Sequence, residues 1–199
     1  MAAPQHHSTT VGDFVRSAVW LAGVLLLTAV TLALMGRIVW CQCGGWVPWS
    51  WDIWTSHNSQ HLIDAYFFSH VLHGVGFYYG LHLTWRTATV VQRFHVAIVI
   101  EAIWELLENS PLIINRYRTV TMSLDYFGDS IANSMSDILA CSLGFVLALK
   151  LKARYSIALF VLTEVVMTLA IRDCLLLNIV MLLCPIDAIR DWQAAGAPA

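Results

Sequence analysis

The chain has 199 residues, of which 58 % are hydrophobic and only 12 % charged, with a net charge of −2. A soluble domain carries about 25 % charged residues, so this composition, with a mean hydropathy of +0.67, excludes an ordinary soluble enzyme. The lack of basic excess gives no argument for nucleic-acid binding, and no nucleic-acid partner is expected. What remains is an all-α fold: a polytopic transmembrane helical bundle embedded in a lipid bilayer, with about five spans and a range of four to six.

Residues 1–16 read as a disordered to amphipathic tail. A single transmembrane domain follows over 17–186, and 187–199 form a C-terminal tail. The spans are expected at about 17–36, 61–83, 94–110, 126–149 and 156–184, each long enough for about 30 Å of hydrocarbon. The first run has no convincing cleavage site behind a shorter apolar core, so it reads as a retained helix. Arg37 marks its exit.

The loop from Cys41 to Gln60 holds Trp46, Trp49, Trp51 and Trp54, with Gly44, Gly45 and Pro48 as breakers. Tryptophan favours the membrane interface, so the loop reads as a segment at headgroup level, with a lid over a site as the alternative. The five cysteines form no CxxC pair. Cys41 and Cys43 read as incidental thiols in preference to a disulfide or a metal clip.

The second run contains Asp64, His70 and His73. Its Gly76 and Gly80 form a GxxxG face suited to close helix packing, or to pairing in a homodimer. The third run ends at Pro111, because helices stop before the residue preceding proline. Ser123 and Asp125 are the candidate N-caps of the fourth. The fifth is longer than one span needs and is interrupted by Arg172 and Asp173; it reads as one long tilted or kinked helix.

Arg16, Arg86, Arg93, Lys150, Lys152 and Arg154 fall on one side of a five-span arrangement, and Arg37, Arg116, Arg118 and Arg190 on the other. The basic excess puts the N-terminus in the cytoplasm.

Eight of the thirteen acids lie inside the apolar runs. Each costs about 2.5–3.5 kcal/mol at the bilayer centre on insertion scales, so they must face one another, water or a cation. Glu101, Glu105 and Glu108 share one helical stripe by spacing, as do Asp129, Asn133 and Asp137. Counting from helix ends gives an outer layer of Asp64, Glu105, Glu108, Asp129 and Arg172, and a deeper layer of His70, Glu101 and Asp137. The candidate catalytic residues are therefore Glu105, Glu108, Asp129, Asp64 and Asn133, with His70, Glu101 and Asp137 as a proton track. Arg116, Arg118 and Arg172 are candidates to hold an anionic lipid or lipid-linked substrate, against partnership with the acids or snorkelling. His57, His61 and Asp64 would share a helix face if the second helix began early. His61 and Asp64, with Glu105 and Glu108, could then hold a divalent metal ion as cofactor. The competing reading is a structural network with the arginines.

The run EAIWELLENSPLIINRYR…DYFGDSIANSMSDI, with HLIDAYFFSHVLHG upstream, resembles an uncharacterised family of bacterial multi-pass inner-membrane proteins, over about Gln60–Leu149. That resemblance implies the cell inner membrane and several spans, and carries no activity. Three function classes stay open. One is a membrane-embedded hydrolase or transferase on a lipid-linked or anionic substrate. The others are a proton-coupled small-solute transporter or channel, and a non-catalytic assembly protein.

Overall fold

A computed structural model describes residues 11–121 and 125–196. Among them are eight helices: α1 Val11–Leu34, α2 Phe67–Thr84, α3 Val90–Glu108, α4 Pro111–Val120, α5 Ile131–Lys150, α6 Ala153–Ile171, α7 Leu175–Leu183 and α8 Asp187–Ala194. The fold is all-α. Three helices are long and apolar enough to cross a membrane: α1 over Gly12–Leu34, α5 and α6. The 18 residues of α2 and the 19 of α3 have the length of a span, but their polar side chains lower their apolarity.

The centre of the bundle is the α2–α5 pair. A Cβ on Gly74 would overlap the Cys141 carbonyl, and one on Gly144 the Val71 carbonyl, so the two backbones touch. The close contact is thus made at Gly74 against Cys141 and at Gly144 against Val71. Gly76 and Gly80 are exposed, and among the described residues nothing lies within 4 Å of where a Cβ would stand. α3 lies beside this pair and α1 covers α3, through a core that includes Ile98, Ala102, Ile138 and Cys141. α6 lies on the opposite side, where Met167 and Ile171 pack against Ile53 and Ala65 of the α1–α2 loop.

Several helix limits differ from those expected. α3 starts at Val90 because Thr89 and Gln92 form a reciprocal capping box, which satisfies two otherwise orphan amides. Pro111 ends α3 and also opens α4, whose N-terminal turn it begins; proline suits that position because its missing N–H is not needed there. The segment between the third and fourth expected spans, which carries Arg116 and Arg118, is therefore a helix. α5 begins five residues later than expected, with Ser130 as its cap, accepting the Asn133 amide at 3.1 Å. Of the two N-caps proposed from sequence, Asp125 lies outside the helix and Ser123 lies outside the described residues.

The long fifth run is not one helix. It breaks at Arg172, whose φ of 53° is left-handed, and α7 restarts after Asp173. Glu164 of α6 makes the break stable: its two carboxylate oxygens accept the amides of Leu175 and Leu176 at 3.1 and 3.0 Å, the first free N–H groups of α7.

The α1–α2 loop is irregular, and α2 begins only at Phe67, so His57, His61 and Asp64 do not share a helix face. The loop is held by a bridge between Trp49 and Ile63. Trp46, Trp49 and Trp51 face outward, being 85, 58 and 51 % exposed, while Asn58–His61 run beneath α5. The Ser130 amide bonds the Ser59 carbonyl at 2.9 Å and Asn133 Nδ2 the His61 carbonyl at 2.7 Å.

Candidate functional site

A cavity of about 330 Å³ lies between α2, α3, α5 and α7. Its floor is polar and its rim apolar. His70 and Glu101 line the floor, with Asp137 of α5, Asp129 from the segment before it, and Glu108 at the end of α3. Phe77, Ile100, Trp104, Ile179 and Leu182 line the rim, and Ile100 and Ile179 are 38 and 43 % exposed at its outer edge.

The floor is built by helical spacing. His70 and His73, three apart on α2, meet the stripe of Glu101, Glu105 and Glu108 on α3. Glu101 is fully buried. It takes His70 Nδ1 at 2.6 Å and His73 Nδ1 at 3.0 Å. His70 also lies 3.5 Å from Glu105 Oε1, and its other nitrogen 3.9 Å from Asp137 Oδ2. One imidazole therefore faces three carboxylates from two helices. Glu101 is held by its two histidines, whereas Glu105, also 0 % exposed, accepts no hydrogen bond on either oxygen among the described residues, and Asp137 Oδ1 accepts none either. Buried polar atoms are nearly always paired, so these oxygens mark where a ligand, a proton or a cation belongs.

Around this centre a polar collar fixes the remaining groups. Asn109 grips Asp129 twice, donating to Oδ2 at 2.9 Å and accepting the Asp129 amide at 2.8 Å. Tyr126 donates to Asp129 Oδ1 at 2.9 Å. Tyr117 donates to Asn178 at 2.9 Å and faces Glu108; burial pushes its hydroxyl well above the usual tyrosine range, so it stays a donor. Tyr66 donates to Asp173 at 2.9 Å.

The sequence-derived residues are distributed unevenly over this geometry. His70, Glu101, Glu105 and Asp137 come together, so Glu105 joins the deeper group and not the outer one. Glu108 and Asp129 line the same cavity. Asp64 instead accepts the Phe67 amide at 2.8 Å at the start of α2, and Asn133 holds the loop carbonyl of His61.

The arginines do not line the cavity. Arg116 donates to the Leu182 carbonyl at 3.0 Å, and Arg172 to the Trp192 carbonyl at 2.8 Å, while Arg118 is exposed on α4. His61, Asp64, Glu105 and Glu108 do not form one ligand group: Glu105 and Glu108 group with His70, and His61 groups with Cys41, Cys43 and His57. Sequence reasoning missed His73 as a partner of Glu101, although its spacing from His70 was visible. It also missed Asn109, Tyr66, Tyr117, Tyr126 and Asn178, polar residues for which spacing gives no signal across helices.

A family model described as a protein of unknown function (DUF2585) matches residues 32–195. A protein of Paracoccus denitrificans named UPF0314 is 47 % identical over 172 residues, covering 86 % of this chain and 89 % of the relative. One of Rhizobium meliloti is 45 % identical over 182 residues, covering 90 % and 92 %, and one of Agrobacterium fabrum is 45 % identical over 183 residues, covering 90 % and 92 %. No solved structure gives a significant match. With the match spanning most of the chain, and bacterial relatives at this level of identity, the protein belongs to the uncharacterised DUF2585 family.

Proposed function

We propose that this protein is a membrane-embedded hydrolase or transferase acting on an amphiphilic, lipid-linked substrate. The observation that carries the reading is the two-sided cavity: an apolar rim leading to a floor with one imidazole among three carboxylates. A lipid chain fits the rim formed by Phe77, Ile100 and Ile179, and a polar head fits the floor. His70 is the general acid or base, oriented by Glu101, while the unpartnered oxygens of Glu105 and Asp137 receive the head. A divalent cation held by His70, Glu105 and Glu108, whose ligand atoms lie within 4.8 Å of one another, would neutralise this acid-rich floor and admit a phosphate-bearing head. Arg116 and Arg172 are turned to carbonyls, and no arginine lines the cavity among the described residues.

A path for protons is less well supported. Just inward of His70 and Asp137 the α2 and α5 backbones touch at Gly74 and Gly144, and the carboxylate of Glu164 is taken up in capping α7. A cavity closed on that side suits chemistry better than passage. The reading also includes the cell inner membrane, an N-terminus in the cytoplasm, and a second copy able to pack on the open Gly76–Gly80 face.

The test uses full-length wild-type protein and Glu101→Gln, purified in mild detergent and incubated with a total polar-lipid extract of Paracoccus denitrificans. Mass spectrometry of the extract should show one lipid class consumed by the wild type and spared by the variant. If both proteins leave the extract unchanged and neither retains lipid through purification, the enzyme reading fails. Proton flux in liposomes is then the next assay.

A further inference from the structure

We infer that the α1–α2 loop carries a structural zinc site formed by Cys41, Cys43, His57 and His61. It is separate from the cavity and independent of the function proposed above. One ligand atom from each of these residues lies within 4.8 Å of all the others. Two thiols and two imidazoles are the donor set of tetrahedral structural zinc. With zinc bonds of about 2.3 Å to sulfur and 2.0–2.1 Å to nitrogen, a tetrahedral ion holds a sulfur and a nitrogen about 3.5 Å apart. Cys41 Sγ and His57 Nδ1 stand 3.4 Å apart, so the pair already has the separation that zinc imposes.

The surroundings fit the same reading. His61 Nδ1 lies 2.7 Å from the Val47 carbonyl. A metal-bound histidine typically donates its other ring nitrogen to such a carbonyl, which leaves Nε2 of His61 as the ligand. Trp40 meets the His61 ring edge-on at 5.6 Å and so restrains its rotation. Cys41 and His61 are buried, at 7 and 4 % exposure, while Cys43 is exposed and gives the ion a route in. As thiolates the two cysteines balance the charge of Zn²⁺. Carboxylates are absent from the set, which disfavours magnesium and calcium.

The loop also has a physical need for such a clamp. Between residues 35 and 66 no regular helix or strand fixes the chain beyond the Trp49–Ile63 bridge. His57 and His61 flank the turn that holds Ser59 at φ 57°. That turn supplies Asn58 and Ser59 to the cavity wall, and its carbonyls receive Ser130 and Asn133 at the start of α5. An ion tying both histidines to the two cysteines would therefore set the cavity wall as well as the loop.

The experiment is metal analysis of full-length protein purified under reducing conditions, beside Cys43→Ser, His57→Ala and Glu101→Gln, with cobalt substitution as the spectroscopic readout. Cys43→Ser is the main variant, because that side chain is exposed and its replacement leaves packing intact. About one zinc per chain is expected in wild type and Glu101→Gln, as for a single closed site. In Cys43→Ser and His57→Ala that content should fall at least tenfold. The cobalt form should show the intense visible absorption of a tetrahedral thiolate site. Cys41 and Cys43 should react with iodoacetamide only after chelation. Zinc that persists in Cys43→Ser and disappears in Glu101→Gln would overturn the proposal by assigning the metal to the cavity. A disulfide between Cys41 and Cys43 in freshly prepared protein, with no cobalt–thiolate band after reduction, would overturn it as well.

Discussion

Two histidine clusters lie close together in this chain, and they are built on opposite principles. Cys41, Cys43, His57 and His61 occupy a loop with almost no regular backbone structure. His70 and His73 stand on a helix whose backbone touches α5 and face the acids of α3. The loop has thiol and imidazole donors within 4.8 Å of one another. The cavity already has its shape from packing, so its polar groups do not have to hold the fold. Glu101 is held by two histidines, while Glu105 is buried with neither oxygen hydrogen-bonded among the described residues. Structural sites close around their ion, and reactive sites keep an unused coordination or hydrogen-bonding position. The proposed zinc loop and the proposed reactive floor would differ in the same way.

The sharpest way to break the comparison is to remove the packing that shapes the cavity. Gly144→Val puts a branched side chain against the Val71 carbonyl, which can move only if α2 and α5 separate. The expected result is loss of folded protein, read by size-exclusion chromatography in detergent. A monodisperse variant with an unchanged melting temperature would show that the helix contact does not shape the cavity. Next in size is the pair His70→Ala and His73→Ala. His70 faces Glu101, Glu105 and Asp137, and His73 only Glu101. Loss of a general acid–base group costs about 10²–10⁴-fold in rate, and that loss is expected for His70→Ala. Removing the partner that only orients Glu101 should cost about tenfold, as expected for His73→Ala. Equal losses would refute the division of roles. Asn133→Ala comes third. It deletes the bond to the His61 carbonyl at 2.7 Å, a buried interaction worth about 1–3 kcal/mol. The melting temperature should fall, and zinc retention by the loop should weaken with it.

How far these two regions could be read from sequence differs for a physical reason. The stripe of Glu101, Glu105 and Glu108 follows from helical periodicity, and counting depth from the helix ends put His70, Glu101 and Asp137 in one layer. Depth was less legible: Glu105 was assigned to the outer layer by counting from the helix end, but the side chain turns inward to His70. Cys41 and His57 are brought together by a loop of breakers over 16 residues, where no period exists to connect them. The α6–α7 break was signalled by Arg172 and Asp173, and what hid it was the apolar sequence on both sides. Its cap, Glu164, is one of the acids inside the apolar runs, and its partner is backbone. The collar of Tyr117, Tyr126, Asn109 and Asn178 depends on contacts between distant elements, which spacing along one helix does not encode.

The smallest effect belongs to Arg172, and it separates the two readings of the arginines. Its guanidinium donates to the Trp192 carbonyl at 2.8 Å and lies over the Trp192 ring at 5.7 Å, which pins α8 against the α6–α7 break. Cation–π contacts at accessible sites contribute about 0.5–1 kcal/mol, and a single hydrogen bond adds a similar amount. Arg172→Gln should therefore lower the melting temperature slightly and leave both turnover and apparent substrate affinity in the lipid assay within about twofold of wild type. If turnover holds while apparent affinity for a phosphate-bearing lipid falls tenfold or more, Arg172 must leave Trp192 to meet the substrate head. The acid-rich floor would then have a mobile cation of its own, and a metal ion in the cavity would lose its purpose.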